Sequence, residues 1–201
     1  PVTVKVRLGT GSGPNTAHSI ALRLQDEGVF RIAVHGRTLR QRYAGEADWE
    51  EIGEMVRDLS IPVVANGDVK DADTAARCLA VTNAAGLMIG RAAIGNPDIF
   101  FRIKKGLGWK SNPAPWDQFV SDASSEGKEA AIKLWCWGRY CELADETYGN
   151  RRNNHLKRHA ISFTKGLEGA SDMRVRLHRT QGPNELIQSV TEFLEQSMQP
   201  T

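Results

Sequence analysis

Apolar and polar positions alternate from Val2 to Leu8, with Val2, Val4 and Val6 separated by Thr3, Lys5 and Arg7. This period of two predicts a strand. Gly9–Pro14 breaks the chain, and Thr16–Glu27, carrying Ile20, Leu22 and Leu24 and followed by Gly28, reads as a helix. Val29–His35 reads as a second strand and Gly36–Asp48 as a long polar loop. Asp48 is placed to cap a helix over Trp49–Leu59, where Ile52, Met55, Val56 and Leu59 recur at helical spacing. Ile61–Ala65 is an unbroken apolar run that stops at Asn66, Gly67 and Asp68, the pattern of a strand buried on both faces. A helix over Asp71–Val81, a strand over Ala85–Gly90 and a helix over Pro97–Leu107 complete the alternation.

Strand and helix thus follow one another four times, which requires a parallel sheet with helical crossovers. Units of roughly 25 to 30 residues match an eight-stranded β/α barrel better than a dinucleotide-binding sheet with insertions. Four units make half of such a barrel. The expectation is therefore an α/β fold: residues 1–110 as the C-terminal half of a (β/α)8 TIM barrel, with four preceding units outside this chain. From Ser111 the pattern changes. Asn112, Pro113, Ala114 and Pro115 read as a linker. Gly127–Tyr148, Arg151–Lys165 and Asn184–Met198 read as helices, with Leu134, Trp137, Cys141, Ala144 and Tyr148 near one face of the first. Residues 111–201 are expected to form an all-α helical-bundle domain.

Composition narrows the picture. The 201 residues carry a net charge of +2, and no apolar run approaches the length of about 20 that a membrane helix needs. Pro1–Leu8 lacks the form of a secretory signal, and three cysteines make an odd, sparse set, so a reducing, cytoplasmic setting is expected. The chain begins without Met and inside a strand, consistent with a piece of something longer. Charge is unevenly spread: Tyr148–Thr180 holds eight Lys and Arg against Glu168 and Asp172, a local +6. Such a cluster suggests contacts to the phosphates of a polyanion.

The polar residues at the strand ends are the candidate chemistry. They are Lys5 and Arg7, His35, Asn66 with Asp68, and Gly90 with Arg91. In a barrel the carboxyl ends of all strands converge on one mouth, where ligands bind. Lys5, inside its strand, invites a partner; a cation near the N1 edge of a flavin stabilises the reduced ring. His35 can hydrogen-bond a cofactor or donate a proton. Asn66 and Asp68 offer donor and acceptor groups, and Gly67 permits close backbone approach. Gly90-Arg91, with open backbone N–H groups, a forked cation and the dipole of a following helix, has the character of a phosphate site.

Val4-Lys5-Val6-Arg7, His35-Gly36-Arg37-Thr38 continuing through Tyr43, Gly45 and Ala47-Asp48-Trp49, Ile61–Asp68, and Met88-Ile89-Gly90-Arg91-Ala92-Ala93 together resemble the tRNA-dihydrouridine synthases of bacterial and archaeal type. The likeness continues through Lys157-Arg158-His159, Phe163, Lys165-Gly166 and Gly169-Ala170 to Arg174. It implies a flavoenzyme that reduces a tRNA uridine to 5,6-dihydrouridine with FMN, restored by NADPH. Lys5 and His35 would then contact the isoalloxazine, Asn66, Gly67 and Asp68 the ribityl and phosphate region, and Gly90 and Arg91 the phosphate. Arg151, Arg152, Lys157, Arg158, Lys165, Arg174 and Arg176 would contact tRNA. The proton-donating cysteine of that family belongs to the N-terminal half-barrel, so no catalytic residue is expected in this chain and the piece alone is expected to be inactive. The full-length protein is expected to be a monomer. Two other readings stay open: another FMN or sugar-phosphate barrel oxidoreductase acting on a small molecule, and a non-catalytic RNA-binding module.

Other signals lead elsewhere. Cys78, Cys136 and Cys141 suit core packing. His155 and His159 stand four apart, but Leu156 occupies the place where a zinc-protease motif needs Glu, and no metal is expected. Gly9-Thr-Gly-Ser-Gly13 lacks the third glycine of a dinucleotide loop. Trp109, Trp116, Trp135 and Trp137 are expected in cores.

Overall fold

Four short strands, β1 (Thr3–Arg7), β2 (Arg31–His35), β3 (Val63–Asn66) and β4 (Gly86–Met88), run parallel in the order β1-β2-β3-β4 in a computed structural model that describes residues 1–120 and 125–199. Three helices cross over between them: α1 (Ala17–Asp26), α2 (Trp49–Asp58) and α3 (Ala72–Thr82). The chain divides into two compact units, one of Pro1–Ala92 with Arg102–Lys110, the other of Ala93–Phe101 with Ser111–Thr201.

The central strands β2 and β3 are buried along nearly their whole length, as an unbroken apolar run requires. Ile32, Val34, Val63 and Ala65 of the strands are buried, as are Ile52 and Met55 of α2 and Ala75 and Cys78 of α3. Local chemistry fixes the helix starts. The Asp48 side chain accepts from the Glu51 N–H, and Asp71 and Thr74 close a reciprocal capping box. Asn83 ends α3 in the left-handed region at φ +51°.

Four α-helices dominate the second unit: α5 (Ser125–Tyr148), α6 (Arg152–Thr164), α7 (Ala170–Arg179) and α8 (Pro183–Gln196), after α4 (Ile99–Gly106). Their core gathers Trp137, Leu156, Ala160, Phe163, Met173, Leu177, Leu186, Val190 and Leu194. Within α6 and α8 these residues fall at intervals of three and four, the apolar stripe of a packed helix. Each fully buried large side chain contributes about 2 to 3 kcal/mol of transfer free energy. Among the described residues no helix is long and apolar enough to cross a membrane.

Several expectations are corrected. Ile20 and Leu22 lie on the exposed face of α1, which buries Ala17 and Ala21 instead. The fourth strand ends at Met88, and Gly90-Arg91 enters a three-residue 3-10 turn, Arg91–Ala93. A full helix, α4, starts only at Ile99, so no helix dipole backs Gly90. Trp109 is exposed, unlike Trp116 and Trp137. Helix α7 was not expected: Met173, Val175 and Leu177 alternate as in a strand, yet only Met173 and Leu177 are buried. The i, i+4 pair decides the structure.

Candidate functional site

Parallel register places Arg7 beside His35, His35 beside Asn66, and Asn66 beside Met88. Neighbouring positions in a parallel sheet share a face, so Arg7, His35 and Asn66 present one polar row that ends on Met88 of β4, with Lys5 two residues behind Arg7 on β1. An open cleft of about 650 Å3 lies against it, lined by Lys5, Arg7, His35, Asn66, Gly90 and Arg91 among others. That volume is within the range of cofactor and substrate sites.

Within the row, Asn66 is buried and its amide donates to the Met88 carbonyl at 2.7 Å. The Asn66 Oδ1 therefore remains as an acceptor. His35 is 7% exposed. Burial, with the positive charges of Arg7, Lys5 and Arg37, pushes its pKa down to about 4, against a smaller opposite pull from Asp68. The imidazole is thus neutral at physiological pH and able to hydrogen-bond without carrying charge. Lys5, although inside β1, is exposed. Partial desolvation, then Arg7, still lowers its pKa.

Asp68 and Gly67 are engaged differently from the expectation. The Asp68 carboxylate accepts two hydrogen bonds from Arg37 Nη2 at 2.8 Å and one from the Ala47 N–H at 2.7 Å. Burial alone would raise the Asp68 pKa, but the Ala47 N–H and the Arg37 and Arg91 guanidiniums outweigh it and hold it below the usual range. Asp68 sits in the left-handed region at φ +58°, a conformation Asp tolerates better than most residues. Gly67, at φ +121°, is needed by the protein itself: a Cβ there would meet the Ala47 methyl at 2.6 Å and the His35 ring at 3.1 Å. Both residues tie the loop between β2 and α2 to the end of β3. Trp49 adds to this by donating from Nε1 to the Gly67 carbonyl at 3.1 Å.

Arg37, 2% exposed, is the residue sequence reasoning left without a role. Besides pairing with Asp68, it donates to the carbonyls of Ala44 and Gly45, and its Nη1 is buried without a partner. The available signal was the loop itself, since a polar connection of this length must find donors for its turned-in carbonyls. Tyr43 was also given no role. Its exposed ring lies under the Arg91 guanidinium, 4.2 Å from the centroid. Arg91 is half exposed and stands 3.7 Å from Asp68. At Gly90 an added Cβ would meet nothing within 4 Å.

In the helical unit the expected tRNA contacts fall into two sets. Arg151, Arg158, Lys165 and Arg174 are exposed. Arg152 pairs with Asp145 at 3.1 Å and donates to the Gly149 carbonyl, Lys157 donates to the Thr180 carbonyl at 3.0 Å, and Arg176 pairs with Glu192 at 3.1 Å. His155 stacks on Tyr148 and His159 meets the Tyr140 ring edge-on, so both take part in packing. Cys78, Cys136 and Cys141 have thiol pKa values pushed up by burial to about 11, 12 and 12.

Comparison with known proteins adds a second line of evidence. The family described as dihydrouridine synthase (Dus) matches residues 1–199. A probable tRNA-dihydrouridine synthase of Rhodobacter capsulatus is 43% identical over 136 residues, 67% of this chain and 42% of that protein. A probable tRNA-dihydrouridine synthase of Mycobacterium leprae is 38% identical over 188 residues, 92% of this chain and 46% of that protein. The tRNA-dihydrouridine(16) synthase of Salmonella typhimurium is 40% identical over 122 residues, 60% of this chain and 38% of that protein. The chain spans about half the length of the curated relatives it matches.

Proposed function

The chain belongs to the dihydrouridine synthase family, and on that premise we propose that the full-length protein reduces a uridine of tRNA to 5,6-dihydrouridine, with FMN as cofactor and NADPH as reductant, in the cytoplasm. The observation that carries this reading is the row of Arg7, His35 and Asn66, with Lys5 and Gly90-Arg91, around one cleft at the strand ends.

The donor set fits FMN. A lysine and a neutral imidazole suit the two polar edges of an isoalloxazine, Asn66 Oδ1 suits a ribityl hydroxyl, and the open backbone at Gly90 beside an exposed guanidinium suits a phosphate. Bound there, the flavin supplies the hydride for the uracil ring. The protein's own residues bind and orient. Lys5 offers positive charge to a ring that becomes anionic on reduction. His35 offers a hydrogen bond without adding charge. Asp68 holds Arg37 and the 36–48 loop in place instead of touching the cofactor, so we assign it and Gly67 to positioning.

The proton that completes the reduction is proposed to come from a cysteine outside this chain. Cys78, Cys136 and Cys141 are poor candidates because burial, complete for Cys78 and Cys136 and partial for Cys141, raises the pKa of all three thiols. The exposed Arg151, Arg158, Lys165 and Arg174 are proposed to contact tRNA phosphates. Barrel units preceding Pro1 are proposed to complete the sheet, whose outer strands β1 and β4 each have one unpaired edge.

The test is mass spectrometry of a tRNA transcript incubated with full-length protein, FMN and NADPH. A gain of two hydrogens at a uridine is expected. No mass change with flavin-loaded protein would overturn the proposal. Residues 1–201 alone are expected to give no product.

A further inference from the structure

The loop between β2 and α2 carries Arg37, Arg40 and Arg42 and no acidic residue before Glu46. Arg37 is buried against Asp68, but Arg40 and Arg42 are exposed. With Arg7, Leu39 and Tyr43 they line a second open cleft of about 720 Å3, and no carboxylate lines it among the described residues. This concentration is local, since Pro1–Ala92 as a whole has eleven Lys and Arg against eleven Asp and Glu.

The backbone that carries these cations is held from several sides. Arg7 Nη1 donates to the Thr38 carbonyl at 2.9 Å and to the Arg42 carbonyl at 3.1 Å. The N–H groups of Leu39 and Arg40 donate to the Gly9 and Thr10 carbonyls at 2.8 and 3.1 Å. The Thr38 N–H donates to Gln41 Oε1 at 2.7 Å, and Arg42 is fixed in the left-handed region at φ +51°. Among the described residues neither the Arg40 nor the Arg42 side chain has a hydrogen-bond or ion-pair partner. Two guanidinium forks therefore stand on a fixed loop, and a ligand would have only the two side chains to order. The two clefts share Arg7 and Tyr43. A polymer that places a base in the first carries its own phosphates past the second.

We propose that Arg40 and Arg42 form a phosphate-binding rim on the sheet-bearing unit, which grips the RNA backbone next to the nucleotide presented to the strand-end cleft. The inference rests on the proposed RNA-modifying function. It assigns phosphate contacts outside the basic helical stretch that charge counting singles out. Both residues are exposed, so their replacement should leave folding unchanged.

The test measures binding of an unmodified tRNA transcript to full-length protein by fluorescence anisotropy, across salt from about 50 to 300 mM. For Arg40→Ala/Arg42→Ala, about tenfold weaker binding at the lowest salt is expected. The slope of log K against log salt should be shallower by about 2, one per lost phosphate contact. Arg40→Lys/Arg42→Lys should recover most of that slope, because the charge remains. Unchanged affinity and slope in the alanine variant would overturn the rim, and so would a lysine variant as weak as the alanine one. Wild-type protein that binds no RNA would instead overturn the function on which the rim rests.

Discussion

Arg37 and Arg158 are the same residue in opposite settings. Arg37, 2% exposed, spends its guanidinium on Asp68 and on two loop carbonyls, whereas Arg158 stands exposed on α6. The sheet-bearing unit turns polar residues inward at the ends of its strands, where they hold one another in place. The helical unit turns Trp137, Phe163 and Leu186 inward and leaves many of its cations outside. A buried charged residue at the strand ends, such as Arg37, is part of the structure that shapes a site, while an exposed one, such as Arg158 on α6, is available to a partner. The same substitution should therefore cost stability at the first position and only binding at the second.

The largest effect is expected where the helical unit is purely apolar. Trp137→Ala, at a fully buried position, should lower unfolding free energy by about 4 kcal/mol in denaturant titration of the full-length protein. A loss below about 1 kcal/mol would mean that the unit is not organised around that core.

Next is the ion pair that gives the sheet unit its character. Asp68→Ala leaves the Arg37 guanidinium buried without its carboxylate, and a cost of about 2 to 3 kcal/mol is expected, reduced from the fully buried case because Asp68 is itself partly exposed. Arg37→Met/Asp68→Ala should cost less than the two single changes added together. Strict additivity would break the pairing account.

Acid should act through His35. Its folded pKa, about 4, lies below the ordinary 6.5, so the unfolded chain binds more protons between those values. Stability from this group is complete above about pH 6.5 and falls as pH drops towards 4, by on the order of 2 kcal/mol. Thermal unfolding across that window should show the decline, and His35→Asn should flatten it. An identical pH profile in both proteins would remove His35 as the cause.

The smallest stability effect belongs to the exposed cations. Arg158→Ala/Arg174→Ala should change unfolding free energy by less than about 0.5 kcal/mol while making the salt slope of tRNA binding shallower by about 2. Lost stability with unaltered RNA binding would invert the comparison.

Much of the sheet unit was legible because periodicity and caps report local physics. The buried runs of β2 and β3, the Asp48 cap and the alternation of strand and helix all follow from residues close in sequence. The gathering of Lys5, His35, Asn66 and Arg91 at one end was legible too, since parallel strands bring their carboxyl ends together. What could not be read was how polar groups divide their bonds. Asp68 and Gly67 have the chemistry of ligand contacts, but Arg37, Ala47 and His35 already occupy them, and that depends on contacts between residues far apart in sequence, such as Ala47 before α2 and Asp68 after β3, 21 positions apart. Helix α7 was missed for a related reason: its burial of Met173 and Leu177 depends on tertiary neighbours, while its local pattern alternates. Helix α1 misled in the same way, hiding alanines and exposing Ile20 and Leu22.

The central claim is that the strand-end cleft binds a flavin through its phosphate and ring. Flavin fluorescence titration of full-length apoprotein with FMN and with riboflavin tests it most directly. The expected result is tight FMN binding, a preference for FMN over riboflavin, and loss of that preference by about tenfold or more in Arg91→Ala and Gly90→Val. Protein that takes up neither flavin, or an Arg91→Ala variant that keeps the full preference for FMN, would contradict it.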